Sequence, residues 1–180
     1  MPRISPLAPP YSAPVQKSFD QIMPPGVDPL LLFRTMAKSD RAWQKFRAGA
    51  LLDPGPLTLR DREIVIHRTC ARARCDYEWG VHVALFASPA GLTQENLQAL
   101  ATGSASASCW SEDESALIAA VDALHDRATL DGVEWRVLSR HYDDSQTLEI
   151  IMLCGFYRTV AYLANSLALS CEPDTTPIPI

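Results

Sequence analysis

The sequence has no long apolar run, no apolar leader and no excess of basic residues. Its 180 residues hold no stretch of about eighteen consecutive apolar side chains, so no membrane-spanning helix is predicted. The opening segment MPRISPLAPPYSAP lacks the apolar centre of a secretory signal, which favours a cytoplasmic location. The formal net charge is −5, whereas nucleic-acid binding needs a basic face. We therefore expect neither a membrane nor a nucleic acid as a partner.

Cysteine and strand signals are also sparse. The five cysteines form an odd, scattered set: Cys70, Cys75, Cys109, Cys154 and Cys171. Such a set is typical of reduced cytosolic thiols and not of a disulfide framework. No segment keeps the period-two alternation of a half-buried strand. The sequence therefore predicts an all-α fold without disulfides.

The length and composition are those of one globular domain. Apolar residues make up 47% of the chain and charged residues 21%, which is ordinary for a folded protein. Residues 1–26 are rich in proline, which cannot donate a helical hydrogen bond, so we interpret them as an extended or disordered arm. Residues 27–180 then form a single helical domain. Asp28 followed by Pro29 marks the start of its first helix, which we expect to continue to about Gly49.

Further helix starts are marked by capping pairs. Thr58 with Asp61 opens the helix that carries Glu63, and Asp76 is expected to cap a second helix that ends near Phe86. Three more helices are expected from Thr93, from the Ser111/Glu114 pair and from the Asp131/Glu134 pair. A last helix, from about 144 to 169, is apolar over most of its circumference. Such a helix belongs in a core or in an oligomer interface.

The chemistry concentrates in the twenty residues EIVIHRTCARARCDYEWGVH, from Glu63 to His82. Glu63 and His67 are four residues apart, and so are Glu78 and His82. Residues at this spacing lie above one another on one helical face. If two helices meet near Asp76, both pairs point into one pocket, where a carboxylate and an imidazole could transfer protons at neutral pH.

These residues resemble the carboxymuconolactone decarboxylase and AhpD-like alkylhydroperoxidase superfamily. Its peroxidases carry a glutamate, eleven residues, a C-x-x-C pair, three residues and a histidine. Glu63, Cys75 and His82 stand at those spacings, but Glu78 occupies the place of the second cysteine. The run CDYEWGVH is therefore similar to the decarboxylase-like members.

The resemblance implies a helical bundle built around a helical hairpin and assembled as a homo-oligomer, a trimer or a hexamer. It implies cofactor-free proton transfer, such as decarboxylation, on a small carboxylated lactone or related organic acid. The candidate catalytic residues are Glu63, His82, Cys75 and Glu78. The candidate substrate-binding residues are Tyr77, Trp79 and His67, each of which could instead be a core residue.

Three alternatives remain open. A thiol peroxidase would use Cys75 with a second cysteine as its disulfide partner. Cys70 lies five residues away, roughly 7.5 Å along a helix at about 1.5 Å per residue, which is farther than a disulfide can span. A metal site is disfavoured because the di-iron signature spaces Glu and His three residues apart, not four. The third alternative is an assembly that keeps the fold without the reaction. We expect neither a metal nor a cofactor.

Overall fold

The computed structural model describes residues 2–180, which form nine α-helices and no β-strand. The prediction of an all-α fold is therefore confirmed. The helices are α1 (Ala13–Asp20), α2 (Leu31–Met36), α3 (Asp40–Ala48), α4 (Leu59–Arg72), α5 (Asp76–His82), α6 (Gln94–Thr102), α7 (Glu112–Arg127), α8 (Gly132–Leu138) and α9 (Asp144–Ser166).

Helix α4 lies at the centre of the bundle. It packs against α5, α6, α7 and α9, and every residue from Glu63 to Cys70 is buried. Ile64, Val65 and Ile66 have no exposed surface, and burying each such side chain contributes about 1.5–3 kcal/mol. A helix covered on all sides must place even its polar residues in the interior, which explains why Glu63 and His67 are fully enclosed.

Arg68 lies in the second half of α4. Its side chain is buried and donates to both carboxylate oxygens of Asp122 on α7, at 2.7 and 2.8 Å. It also donates to the carbonyl oxygens of Leu100 and Gly103, at 2.8 and 3.1 Å. Arg68 thus joins α4 to α6 and α7 inside the bundle.

The capping signals predicted most helix starts correctly. The Thr58 side chain accepts from the backbone N–H of Asp61, and complete capping boxes open α7 and α8 at Ser111 and Asp131. Asp143 does the same for α9. These signals succeed because a cap satisfies backbone donors within its own helical turn.

Helices α4 and α5 form the expected hairpin. Arg74 adopts a left-handed conformation, with φ of 52°, between the two helices. Cys75, not the predicted Asp76, is the N-cap of α5. The predicted single helix to Phe86 changes character after His82, because Val83–Ala87 widen into a π-helical turn. Such turns are frequent at functional sites.

The segment from Asp28 to Gly49 was expected to be one helix, but it forms two. Helix α2 ends at Met36, and Ser39 then caps α3 by accepting from the N–H of Ala42. The break directs Trp43 towards the N-terminal arm, where its indole N–H donates to Ser18 Oγ at 2.8 Å. The arm is not wholly extended, because it contains α1 and buries Phe19 against Trp43.

The residues after α9 cross back over the start of α5. Glu172 accepts hydrogen bonds from the Tyr77 hydroxyl and from the N–H of Leu31, and Asp76 accepts one from the N–H of Ile178 at 3.1 Å. Gly80 permits this crossing, since a Cβ atom there would lie 2.8 Å from Cβ of Thr175. The C-terminal segment therefore ties α2 to α5.

Helix α9 is long and apolar enough to pass as a membrane span by composition, with a mean hydropathy of 1.3. It nevertheless packs against α4, α5 and α7, and Ile150, Leu153 and Val160 are fully buried in the bundle. These are the properties of a core helix, so a membrane location is not indicated.

Candidate active site

Glu63 is the most enclosed carboxylate of the cluster. It lies in the middle of α4 with no exposed surface, and its Oε2 is 2.8 Å from Nδ1 of His82. The guanidinium Nε of Arg62 lies 3.3 Å from Oε1. Burial alone would raise the pKa of Glu63, but the hydrogen bond from His82 and the nearby positive charges bring it below its ordinary 4.5. Glu63 is therefore a carboxylate.

His82 ends α5 and lies between two carboxylates. Its Nδ1 donates to Glu63, and its Nε2 is 3.4 Å from Oε1 of Glu78. Burial would lower its pKa, but the contacts with Glu63 and Glu78 dominate and raise the pKa from 6.5 to about 9. His82 is 2% exposed and is an imidazolium ion at neutral pH.

His67 has the opposite charge state. Its Nδ1 donates to the carbonyl oxygen of Glu63 at 2.7 Å, and its ring meets Trp79 edge-on at 5.1 Å. Burial and the charge of His82 lower its pKa to about 4. Its Nδ1 is also 3.7 Å from a Glu63 carboxylate oxygen, but a neutral ring makes no ion pair there. Its Nε2 is a buried acceptor without a partner among the described residues.

The cluster adjoins a pocket of about 250 Å³. Glu78 and Tyr157 line this pocket and also contact His82, because the Tyr157 ring lies 5.2 Å from the imidazole. The remaining walls are mostly apolar and come from the N-terminal helices, the loop before α4, and α9: Ile22, Phe33, Trp43, Phe46, Arg47, Ala48, Ala50, Leu51, Leu52, Asp53 and Phe156.

A larger cleft lies elsewhere on the molecule. It has a volume of about 360 Å³ between α7 and α9, and its lining includes His125, Arg158 and Tyr162. None of the four clustered acid and imidazole residues lines it. Glu78 lines the pocket of about 250 Å³ and not this cleft.

The two cysteines nearest the cluster are buried thiols with raised pKa values. Cys75 is fully buried as the N-cap of α5, and burial raises its pKa from 9.0 to about 12. Cys70 is equally buried, and its carbonyl oxygen accepts from the N–H of Cys75 at 2.9 Å. Burial also raises the Cys70 pKa well above its usual range. Reactive cysteines require the thiolate form and solvent access, and neither residue has them.

The three residues predicted to bind substrate lie around the cluster, not along the pocket. The Tyr77 hydroxyl accepts from the N–H of Leu32 at 2.9 Å and donates to Glu172. Trp79 is 1% exposed and packs on His67. Their substrate-binding role, like that of His67, stays a prediction.

Sequence reasoning did not identify the pocket walls or the partners Arg62 and Glu172. Phe33, Trp43 and Phe46 were visible only as apolar positions of a helix, and nothing local shows that they meet Phe156 of α9. Only its position next to Glu63 in the sequence could have indicated Arg62 as a partner of that carboxylate. Within the described chain, no group of three His, Cys, Asp or Glu side chains is arranged to hold a metal ion.

Comparison with known proteins gives consistent results. Residues 37–122, which include Glu63, Cys75, Glu78 and His82, match the model of the Carboxymuconolactone decarboxylase family. No curated protein matched the chain significantly.

Several solved structures share the fold. An uncharacterized peroxidase-related protein from Silicibacter sp. TM1040 is 18% identical, with a TM-score of 0.79 over 94% of this chain and 90% of its own. A peroxidase-related protein with an alkylhydroperoxidase AhpD core, from Ralstonia eutropha JMP134, is 16% identical, with a TM-score of 0.76 over 95% and 94%. The debrominase Bmp8 is 20% identical, with a TM-score of 0.71 over 94% and 92%.

At these identities the solved structures establish the fold, and the family model covers the segment that carries the cluster. Residues 37–122 of this chain thus match the Carboxymuconolactone decarboxylase family, and the chain shares the fold of the AhpD-like structures.

Proposed function

We propose that this protein catalyses cofactor-free proton transfer, with decarboxylation of a small carboxylated lactone or a related organic acid as the leading reaction. One observation carries the proposal: His82 lies beside a mostly apolar pocket between the carboxylates of Glu63 and Glu78, which raise its pKa to about 9. A positioned imidazolium is a competent acid at neutral pH.

The reaction needs such an acid at a carbon atom. Loss of carbon dioxide from a carboxylated unsaturated lactone leaves an electron pair, which the conjugated carbonyl holds as a dienolate. Protonation at carbon completes the reaction, and the proton comes from the His82 side of the pocket. Glu63 fixes the orientation of the imidazole through Nδ1, which directs Nε2 towards Glu78. Solvent then restores the proton.

The test is a screen of carboxylated unsaturated lactones, followed by the variants His82→Ala and Glu63→Gln on any substrate found. We expect His82→Ala to lower turnover by about 10²–10⁴-fold, the usual contribution of a positioned acid. His141→Ala is the matched control, because His141 is exposed and far from the pocket lining. Wild-type turnover in both site variants would show that the pair is structural.

A thiol peroxidase is the second candidate, favoured by the peroxidase-related names of two structural neighbours. The state of Cys75 argues against it, because the buried thiol has a raised pKa and Glu78 stands where a second cysteine would be. We expect no peroxide consumption with an organic hydroperoxide and a dithiol donor. Robust consumption that Cys75→Ser abolishes would reverse the order of the two candidates.

We further propose a homo-oligomer, as a trimer or a hexamer, in the cytoplasm. The support is the apolar surface on α8 and α9, where Trp135, Leu148, Met152 and Tyr162 are 46–63% exposed. Exposed apolar surface of this kind marks interaction sites.

A further inference from the structure

Glu78 occupies the position between the buried imidazolium and the pocket. Its Oε1 is 3.4 Å from Nε2 of His82, and its side chain also lines the pocket wall. We propose that Glu78, and not His82, exchanges the proton with a substrate in this pocket, so that Glu63, His82 and Glu78 act in series. This inference rests on the proposed function and deepens it.

His82 itself has no open approach. Its Nδ1 is occupied by Glu63, and the rings of Phe86 and Tyr157 lie 5.0 and 5.2 Å from the imidazole. It does not line the pocket, whereas Glu78 does and keeps 11% of its side chain exposed. A substrate in the pocket therefore meets the carboxylate first.

The proton balance of this arrangement is simple. The proton on Nε2 of His82 moves to Oε1 of Glu78, and the resulting carboxylic acid protonates the dienolate carbon. Glu78 returns to a carboxylate, His82 is left neutral, and solvent returns its proton. In the reverse sense, the Glu78 carboxylate removes a proton from a carbon acid. Glu63 keeps its hydrogen bond to Nδ1 of His82 throughout.

The pocket walls indicate what kind of molecule reaches Glu78. Phe33, Trp43, Phe46 and Phe156 present aromatic surface, which favours a planar, unsaturated body. Phe33 and Phe156 lie outside the 37–122 family segment. The clustered acid–base residues thus belong to the family segment, whereas part of the selectivity for substrate comes from pocket residues that lie outside it.

A generic carbon acid tests the role of Glu78 without knowledge of the natural substrate. In a nitrobenzisoxazole, a base removes the ring C–H proton; the C–H electrons complete a nitrile, and the N–O bond breaks to release a coloured phenolate. The molecule is planar and aromatic, as the pocket walls require.

The ionisable groups around Glu78 are His82, Cys75, Cys70, Tyr77, Tyr157, and, across the pocket, Arg47 and Asp53.

The full-length protein should accelerate this elimination over free acetate, and Glu78→Gln should lower the rate by at least about a hundredfold, as expected for loss of a positioned base. Glu95→Gln, an exposed residue of α6, is the matched control and should retain the rate. Ala50→Phe leaves Glu78 in place but fills the pocket that Ala50 lines, and it should also abolish the acceleration. This second variant keeps the test decisive if Glu78→Gln does not fold.

The pH profile separates Glu78 from His82. His82 holds its proton up to about pH 9, so a reaction with His82 as base would accelerate steeply towards that pH. With Glu78 as the base, we expect the rate to stay nearly constant around neutral pH. No acceleration, retention of the rate in Glu78→Gln, or a steep rise towards pH 9 would overturn the inference. The lactone screen is independent, so its failure would leave this result standing and vice versa.

Discussion

The two buried histidines predict a stability optimum near pH 6.5, the ordinary histidine pKa. His67 and His82 lie with ring centroids 6.1 Å apart and are both at most 2% exposed. Their pKa values nevertheless move in opposite directions. Burial and the charge of His82 lower the pKa of His67, whereas the contacts with Glu63 and Glu78 outweigh burial and raise the pKa of His82. His67 therefore determines how stability changes on the acid side of the optimum, and His82 determines it on the alkaline side.

The sign follows from proton binding in the two states. Between pH 4 and 6.5, His67 is protonated in the unfolded chain but neutral in the native state, so the free energy of unfolding falls as the pH drops. Between pH 6.5 and 9 the native state keeps the His82 proton that the unfolded chain releases, so stability falls as the pH rises. The contribution of Glu63, whose native pKa is lowered, is present above its ordinary 4.5 and is lost only at lower pH.

Each limb corresponds to roughly 3–4 kcal/mol when complete, since each pKa moves from 6.5 to about 4 or about 9 and one pKa unit is worth about 1.4 kcal/mol. Solvent screening reduces this little, because both side chains are buried. Urea unfolding followed by circular dichroism, at intervals from about pH 5 to 8.5, measures both limbs. His67→Asn should flatten the acid limb and His82→Asn the alkaline limb, while the exposed His141→Asn should change neither. A wild-type stability that does not fall above pH 6.5, or falls equally in His82→Asn, would refute the reasoning.

Three further predictions concern the framework of the site. Tyr77→Phe should lower the free energy of unfolding in urea by about 1–3 kcal/mol, because the N–H of Leu32 and the Glu172 carboxylate each lose a buried hydrogen-bond partner. Tyr162→Phe, at an exposed position, is the control and should lower it much less. Gly80→Ala should displace the C-terminal segment, since the new Cβ would lie 2.8 Å from Cβ of Thr175, and limited proteolysis should then release that segment faster. Met152→Glu, at a residue 54% exposed on α9, should lower the mass measured by light scattering; a monomeric wild type would contradict the proposed assembly.

The parts of the fold that sequence predicted are those determined within one helical turn. Thr58 with Asp61, and Ser111 with Glu114, satisfy backbone donors locally, so their helices begin where expected. Glu63 and His82 are 19 residues apart and were identified by the resemblance to the family motif, and the structure joins them by a hydrogen bond. Their catalytic role stays a prediction.

The parts that sequence did not predict depend on contacts between distant segments. The break between α2 and α3 leaves a continuous helical pattern in the sequence, and it is stabilised by packing of Trp43 on Phe19 of the arm. The Tyr77–Glu172 contact joins residues 95 apart in the chain. Arg68 and Asp122 are 54 residues apart in the chain, and only the tertiary fold brings them together.

Direct titration of the histidine rings tests the central claim most sharply. Long-range nitrogen–proton correlation spectra of the labelled protein report the protonation state of each ring. We expect His82 to remain an imidazolium through neutral pH and to titrate at about 9, with His67 neutral down to about 4. Glu78→Gln should lower the His82 pKa, because it removes one of the two carboxylates that hold the proton. A neutral His82 at pH 7.5 would contradict the account, since the site would then lack the proton that the proposed chemistry delivers.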